Sequence, residues 1–174
     1  MTPAPTYAKG TTVPVEKTKA ELDGLLGKHG AATRGIMHDE ERDLAAVMFV
    51  LQGRKYRIEL PMPARLSASR YEPDTMGKRW QDRPRLWLNW SDAQRQDWVV
   101  QQHAQAVRER WRGLLLMVKA KLQIVAMGIS SFEREFLADL VLPNGHTAHD
   151  TIGPYMRKLI EEGYTAPLAL PEAT

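Results

Sequence analysis

The 174-residue chain contains no cysteine. A disulfide framework, a thiolate metal site and a cysteine nucleophile are therefore excluded, and a cytoplasmic setting is the simplest one. Long apolar runs are also missing. The longest clean run, residues 44–51, has eight residues, and residues 114–118 are followed by Lys119 and Lys121; both fall far short of the roughly 18–20 residues a membrane span needs. No membrane partner is expected. The first fifteen residues are small, proline-rich and polar, without a basic-then-apolar leader. There is no Gly-x-Ser-x-Gly elbow and no Walker or dinucleotide glycine pattern. "GAATRG" has glycines but lacks the strand–turn–helix setting of a phosphate loop. Internal repeats and low-complexity tracts are absent too. These absences remove the usual enzyme signatures, and no cofactor is expected.

What is present suits one globular domain with a real core: 43% hydrophobic and 26% charged residues. The net charge of +3 is unevenly placed. Residues 54–112 hold 13 Lys/Arg against 7 Asp/Glu, whereas residues 129–174 hold 3 against 7. A basic middle and an acidic end suggest a phosphate-binding face, or two surfaces that attract each other.

The pattern along the chain predicts an α+β fold. Residues 1–13 read as a flexible lead-in, 14–163 as a single domain, and 164–174 as a proline-rich tail with Leu168 and Leu170. Pro14 suits a first helical turn, and residues 16–28 carry apolar positions Ala20, Leu22, Leu25 and Leu26 at helical spacing. Gly24 weakens this helix; Gly27 and Gly30 offer stops. "TRGIMH" suggests a first strand. "AAVMFVLQ" and "GRKYRIELPMP" then form an antiparallel hairpin over about residues 44–60. Tyr56, Ile58 and Leu60 alternate there with Lys55, Arg57 and Glu59, and Gln52–Gly53 makes the turn. Pro61 and Pro63 end it.

Residues 64–90 read as a long loop, with "RLWLNW" as a short strand inside it. Ser91 and Gln94 form a capping box for a long central helix over about residues 91–128, with Gly113 as a possible bend and Gly128 as the stop. Ser130 and Glu133 suggest a second capping box for a helix through about Leu140. "LPNG" turns the chain. Thr147 caps a short turn, and Pro154 fits the start of a last helix ending at Gly163.

Candidate sites follow from composition. The loop interleaves Arg70, Arg79, Arg83 and Arg85 with Tyr71 and Trp80, the residue types that stack on bases and hold phosphates. Arg79, Trp80, Arg83 and Arg85 as a group read equally well as solvated surface. Trp87 and Trp90 fit core anchors better. Arg54, Lys55 and Arg57 could present a basic strand face to a nucleic-acid backbone, though such charges also keep a half-buried strand soluble. Arg108 and Arg112 extend the basic segment onto the central helix. His146, His149 and Asp150, and the acidic turn Asp39, Glu40, Glu41 and Asp43, are weaker candidates for a metal ion.

On the central helix, Val107, Trp111, Leu114, Leu115, Val118, Leu122 and Val125 form one apolar stripe. Arg108, Arg112 and Lys119 flank it on one edge, and Arg110 and Lys121 on the other. Leu116, Met117 and Ile124 point away from the stripe and are expected to meet protein: other helices, a second copy in a homo-oligomer, or a partner.

"VPVEKTKAELDGLLGKHGA", "AVMFVLQGRKYRIELPMP" and "RWRGLLLMVKAKLQIVAMGISSFEREFLADLVLPNGHT" together resemble a family of small proteins encoded by tailed phages and prophages. The likeness covers most of the chain outside residues 66–90. It implies a phage setting, hence the host cell cytoplasm, and supplies no catalytic motif. The favoured expectation is a non-enzymatic nucleic-acid-binding protein in phage DNA processing, acting on DNA, with single-stranded DNA among its candidate forms. The alternative is a protein-binding inhibitor or adaptor acting on a host defence or replication complex. A metal-dependent nuclease is the third reading.

Overall fold

The computed structural model describes residues 7–65, 84 and 86–163. Helix α1 (Val15–Lys28) leads into strands β1 (Thr33–Asp39), β2 (Leu44–Leu51) and β3 (Arg54–Pro61). A 3-10 turn at Trp87–Asn89 precedes the long helix α2 (Asp92–Ala126). Helix α3 (Phe132–Phe136), a 3-10 turn at Leu137–Asp139 and helix α4 (Ala148–Glu161) follow. This is the expected α+β class. The strands form one antiparallel sheet in sequence order.

The hairpin turn has both central residues at positive φ, Gln52 at 51° and Gly53 at 75°. This is the primed geometry that matches strand twist, and Gly53 adopts it without a Cβ clash. The turn sets Phe49 opposite Tyr56 and Val47 opposite Ile58. Ala45, Val47, Phe49 and Leu51 therefore share one buried face with Tyr56, Ile58 and Leu60. On that face α1 contributes Leu22 and Leu26. Helix α2 contributes Trp111, Leu114, Leu115, Val118 and Leu122, and α3 contributes Phe132 and Phe136. The apolar stripe of α2 is thus core. Phe132 and Phe136 stack with centroids 4.5 Å apart, and Tyr56 meets Phe132 edge-on at 5.3 Å.

Helix α2 spans about 50 Å by helical rise. Its N-terminus carries the capping box: Ser91 Oγ accepts the Gln94 N–H and Gln94 Oε1 accepts the Ser91 N–H. The helix runs unbroken through Gly113 and stops before Gly128, whose φ is 70°.

Three local expectations are corrected. "RLWLNW" contains a 3-10 turn at Trp87–Asn89 in place of a strand. Trp87 is fully buried against Val99, and the Arg95 guanidinium donates to the Trp87 and Leu88 carbonyls. The segment's acceptors are thus taken by a side chain of α2 in place of a neighbouring strand. The second cap lies one residue later than expected. Ser131 Oγ accepts the Arg134 N–H, while Ser130 Oγ has no hydrogen-bond partner. Both serines are competent caps; starting the helix at Phe132 lets Phe132 and Phe136, one turn apart, enter the core together. Finally, Thr147 opens α4 itself, with Asp150 completing its capping box. Pro154 lies inside the helix and removes one ladder bond, without starting the helix.

Residues 7–13 fall in the expected lead-in. There Gly10 N–H donates to Glu109 at 2.7 Å, and the Thr11 carbonyl accepts from Gln105 at 3.1 Å. No helix of the described residues is long and apolar enough to cross a membrane.

Candidate nucleic-acid interface

Helices α1 and α2 pack side by side in the same direction. Thr11 lies by Gln105, Glu21 bonds Arg112, and Lys28 shares a groove with Lys119. The shared direction brings charges together. On α1, Lys17, Glu21, Gly24 and Lys28 fall within one narrow face at 100° per residue. On α2, Arg108, Arg112, Leu115 and Lys119 do the same. Between them runs a groove of about 320 Å³. Leu25, Leu115 and Leu116 are among its lining residues, with Lys28, Arg112 and Lys119 at its sides. Its lining contains one carboxylate, Glu21, which takes the Arg112 guanidinium at 2.7 Å. Arg108 donates to the neutral amide of Gln105 at 2.6 and 3.1 Å, so its charge stays uncompensated. Lys17, Lys28 and Lys119 are exposed, and the described residues supply no anion partner for them.

The basic face expected on the hairpin is divided by the pleat. Arg54 lies on the core side of β3 and pairs with Glu133 at 3.2 Å. Arg57 lies on the opposite side. Its Nε is 3.0 Å from Glu59, its Nη2 is 3.4 Å from Asp150, and its Nη1 donates to the Gly145 carbonyl. Lys55 shares the outer side with Arg57 and is exposed. Two of these three cations therefore bind carboxylates of the acidic C-terminal part. The charge asymmetry is in part an internal attraction between surfaces.

Arg70, Tyr71, Arg79, Trp80, Arg83, Arg85 and the tail residues Leu168 and Leu170 lie outside the described residues. Leu116, Met117 and Ile124 do not form one surface. Leu116 lines the α1–α2 groove, Met117 is 40% exposed in a cleft against β3, and Ile124 is half-buried.

Two of the metal candidates, Asp39 and Asp150, are engaged in local structure. Asp39 Oδ1 accepts the Arg42 N–H and shapes the acidic turn. Asp150 is used by the α4 cap and by Arg57. Hydrogen bonding to the Thr147 side chain and backbone holds the Asp150 carboxyl below its usual range, with smaller help from the Arg57 and His149 charges. Among the described residues no three His, Asp or Glu side chains gather as metal ligands.

One surface was missed in the sequence. Along α4, Ile152, Tyr155, Met156 and Ile160 are 48%, 62%, 48% and 62% exposed, and Ala148 is the helix's buried residue. Their i, i+3, i+4, i+8 spacing is legible once the helix is begun at Thr147; beginning it at Pro154 hides Ile152. Comparison with protein-family models, with curated proteins and with solved structures finds no match.

Proposed function

We propose that this chain is a non-enzymatic nucleic-acid-binding protein, working in DNA processing in the phage setting that its sequence resemblance implies. The observation that carries the reading is the α1–α2 groove. Lys17 and Lys28 on one helix, and Arg108, Arg112 and Lys119 on the other, form two parallel rows around a single carboxylate. Each row spans about 16 Å by helical rise. Projected on a duplex axis, that length covers roughly five phosphates of one strand, at about 3.4 Å of axis per phosphate. The apolar lining supplied by Leu115 and Leu116 offers no sequence readout, so backbone contact dominates.

Four of these cations have no carboxylate partner in the groove, which sets the expected salt dependence. Four phosphate contacts on a duplex give a log–log slope near −3.6, a loss of about 150-fold between 50 and 200 mM salt. Fluorescence anisotropy with labelled duplex and single-stranded oligonucleotides measures this. Lys28→Ala/Lys119→Ala is expected to reduce the duplex slope to about −1.8. Absence of binding at 50 mM salt would remove the nucleic-acid reading. An unchanged slope in the double variant would remove the groove, and a reduced slope in Arg79→Ala/Arg85→Ala would then move the contact to residues 66–85.

A second reading, a protein-binding inhibitor or adaptor, is favoured by the uncovered apolar face of α4. Exposed apolar groups at helical spacing are a common docking surface for another protein.

A further inference from the structure

A cleft of about 710 Å³ lies on the other side of α2, against β3. That falls within the range of small-molecule sites. Its wall is apolar: Leu60, Pro63, Ala106, Gly113, Leu114 and Met117. Met117, 40% exposed, is an apolar residue of α2 that neither the core nor the α1 groove explains. Gly113 is the second unexplained feature. It sits inside a 35-residue helix, where glycine is destabilising relative to alanine. Its φ is not positive, and a Cβ there would meet nothing within 4 Å. Neither backbone conformation nor packing requires glycine. What the missing side chain does provide is bare backbone on the cleft wall, where a ligand can approach closely.

The lining is balanced in number, with three cations, Lys9, Arg110 and Lys121, and three carboxylates, Glu59, Glu109 and Asp139; the pairing leaves the Lys9–Arg110 end with one net positive charge beside Glu109. Each lining carboxylate already has a donor. Glu109 accepts from Gly10 N–H and from Gln105, Glu59 pairs with Arg57, and Asp139 pairs with Lys121 at 3.4 Å. The Lys121–Asp139 pair closes one end, with Lys121 also lying 4.9 Å from the Phe136 ring centroid. At the other end, Lys9 and Arg110 are exposed and have no ion-pair or hydrogen-bond partner among the described residues. From Arg110 to Met117 the helical rise is about 10 Å.

We propose that this cleft binds an amphipathic monoanion, an aryl or medium-chain aliphatic carboxylate or sulfonate. Its charged head meets Arg110 and Lys9, and its apolar body of about 10 Å lies over Gly113, Leu114 and Met117. Arg110 supplies a planar fork suited to a carboxylate or sulfonate. The apolar wall supplies the burial, and Gly113 the clearance.

The test is a fluorescence titration of the full chain with 8-anilinonaphthalene-1-sulfonate, followed by displacement with octanoate or with octylammonium. Saturable 1:1 binding is expected, displaced by octanoate and at least tenfold less well by octylammonium. Arg110→Ala is expected to weaken binding about tenfold. Gly113→Leu is expected to abolish it by filling the cleft, while the melting temperature stays level or rises because leucine is the better helix former. Non-saturable binding, equal displacement by the cation, or unchanged affinity in Gly113→Leu each overturns the proposal. The cleft and the α1–α2 groove lie on different faces of α2, so Gly113→Leu leaves oligonucleotide anisotropy unchanged and the two readings fail separately.

Discussion

Thr147→Ala is expected to open α4 without unfolding the protein. Thr147 is 5% exposed, and its Oγ1 accepts the Asp150 N–H at 3.1 Å. Removing a threonine N-cap costs about 1–2 kcal/mol in a protein. The rest of α4 has little to absorb that loss. Its buried residue is Ala148, its apolar face is uncovered, and Pro154 has already removed one ladder bond. The helix is tied to the body at its first turn, by Ala148 N–H on the Leu140 carbonyl and by the Arg57–Asp150 pair. Opening of α4 therefore exposes little core surface and proceeds as a local event. A loss of 1–2 kcal/mol corresponds to roughly 5- to 30-fold faster amide exchange. Hydrogen exchange read by mass spectrometry should show that acceleration in residues 151–161. Amides of Val47 and Ile58 should be unchanged, and Thr147→Ser should restore most of the protection. Equal acceleration in the sheet would refute the local reading, because α4 would then open only with the core. No acceleration anywhere would refute the role of the cap.

The same helix carries a pH dependence. The Asp150 pKa is lowered in the fold, chiefly by its hydrogen bonds with Thr147. Its stabilising contribution is present above the ordinary value of 3.8 and is lost as pH falls through the lowered value. After correction for intrinsic chemistry, α4 amides should lose protection relative to the sheet below that pH, and Asp150→Asn should remove the difference. In the core, Trp111 is 1% exposed, and its ring has Lys19 Nζ at 5.2 Å and His38 at 6.1 Å. Trp111→Ala should lower global stability by about 3–5 kcal/mol in urea unfolding; a change below about 1 kcal/mol would contradict its place at the α1–α2–sheet junction.

Period and turn chemistry carried most of the fold. Alternation in residues 54–60 and the Gln-Gly turn named the hairpin, because a half-buried strand requires period two and a tight turn requires positive φ. The Ser91–Gln94 box and Gly128 bounded α2, because helix ends must satisfy their own backbone groups. Local signals failed where two choices were locally equal. Ser130 and Ser131 both cap well, and burial of Phe132 and Phe136 chose between them. "RLWLNW" has the composition of a strand, and docking of Trp87 on Val99 made it a 3-10 turn. The candidate interface was half legible. Arg108, Arg112 and Lys119 line up by helical periodicity alone, but Lys17 and Lys28 join them only through the packing of α1 on α2.

The sequence by itself determined the α+β class, the register of the β2–β3 hairpin and the apolar faces of that hairpin and of α2, since these depend on spacing along the chain and on local backbone chemistry. Tertiary structure decided which charges remain available. Arg54 and Arg57 are basic in any sequence count, yet Glu133, Glu59 and Asp150 hold them. Arg110, at an edge of the apolar stripe on a helical wheel, and Met117, pointing away from that stripe, come to line one cleft. The value of a charge or an exposed methionine depends on neighbours far along the chain, and only the fold brings those neighbours within reach.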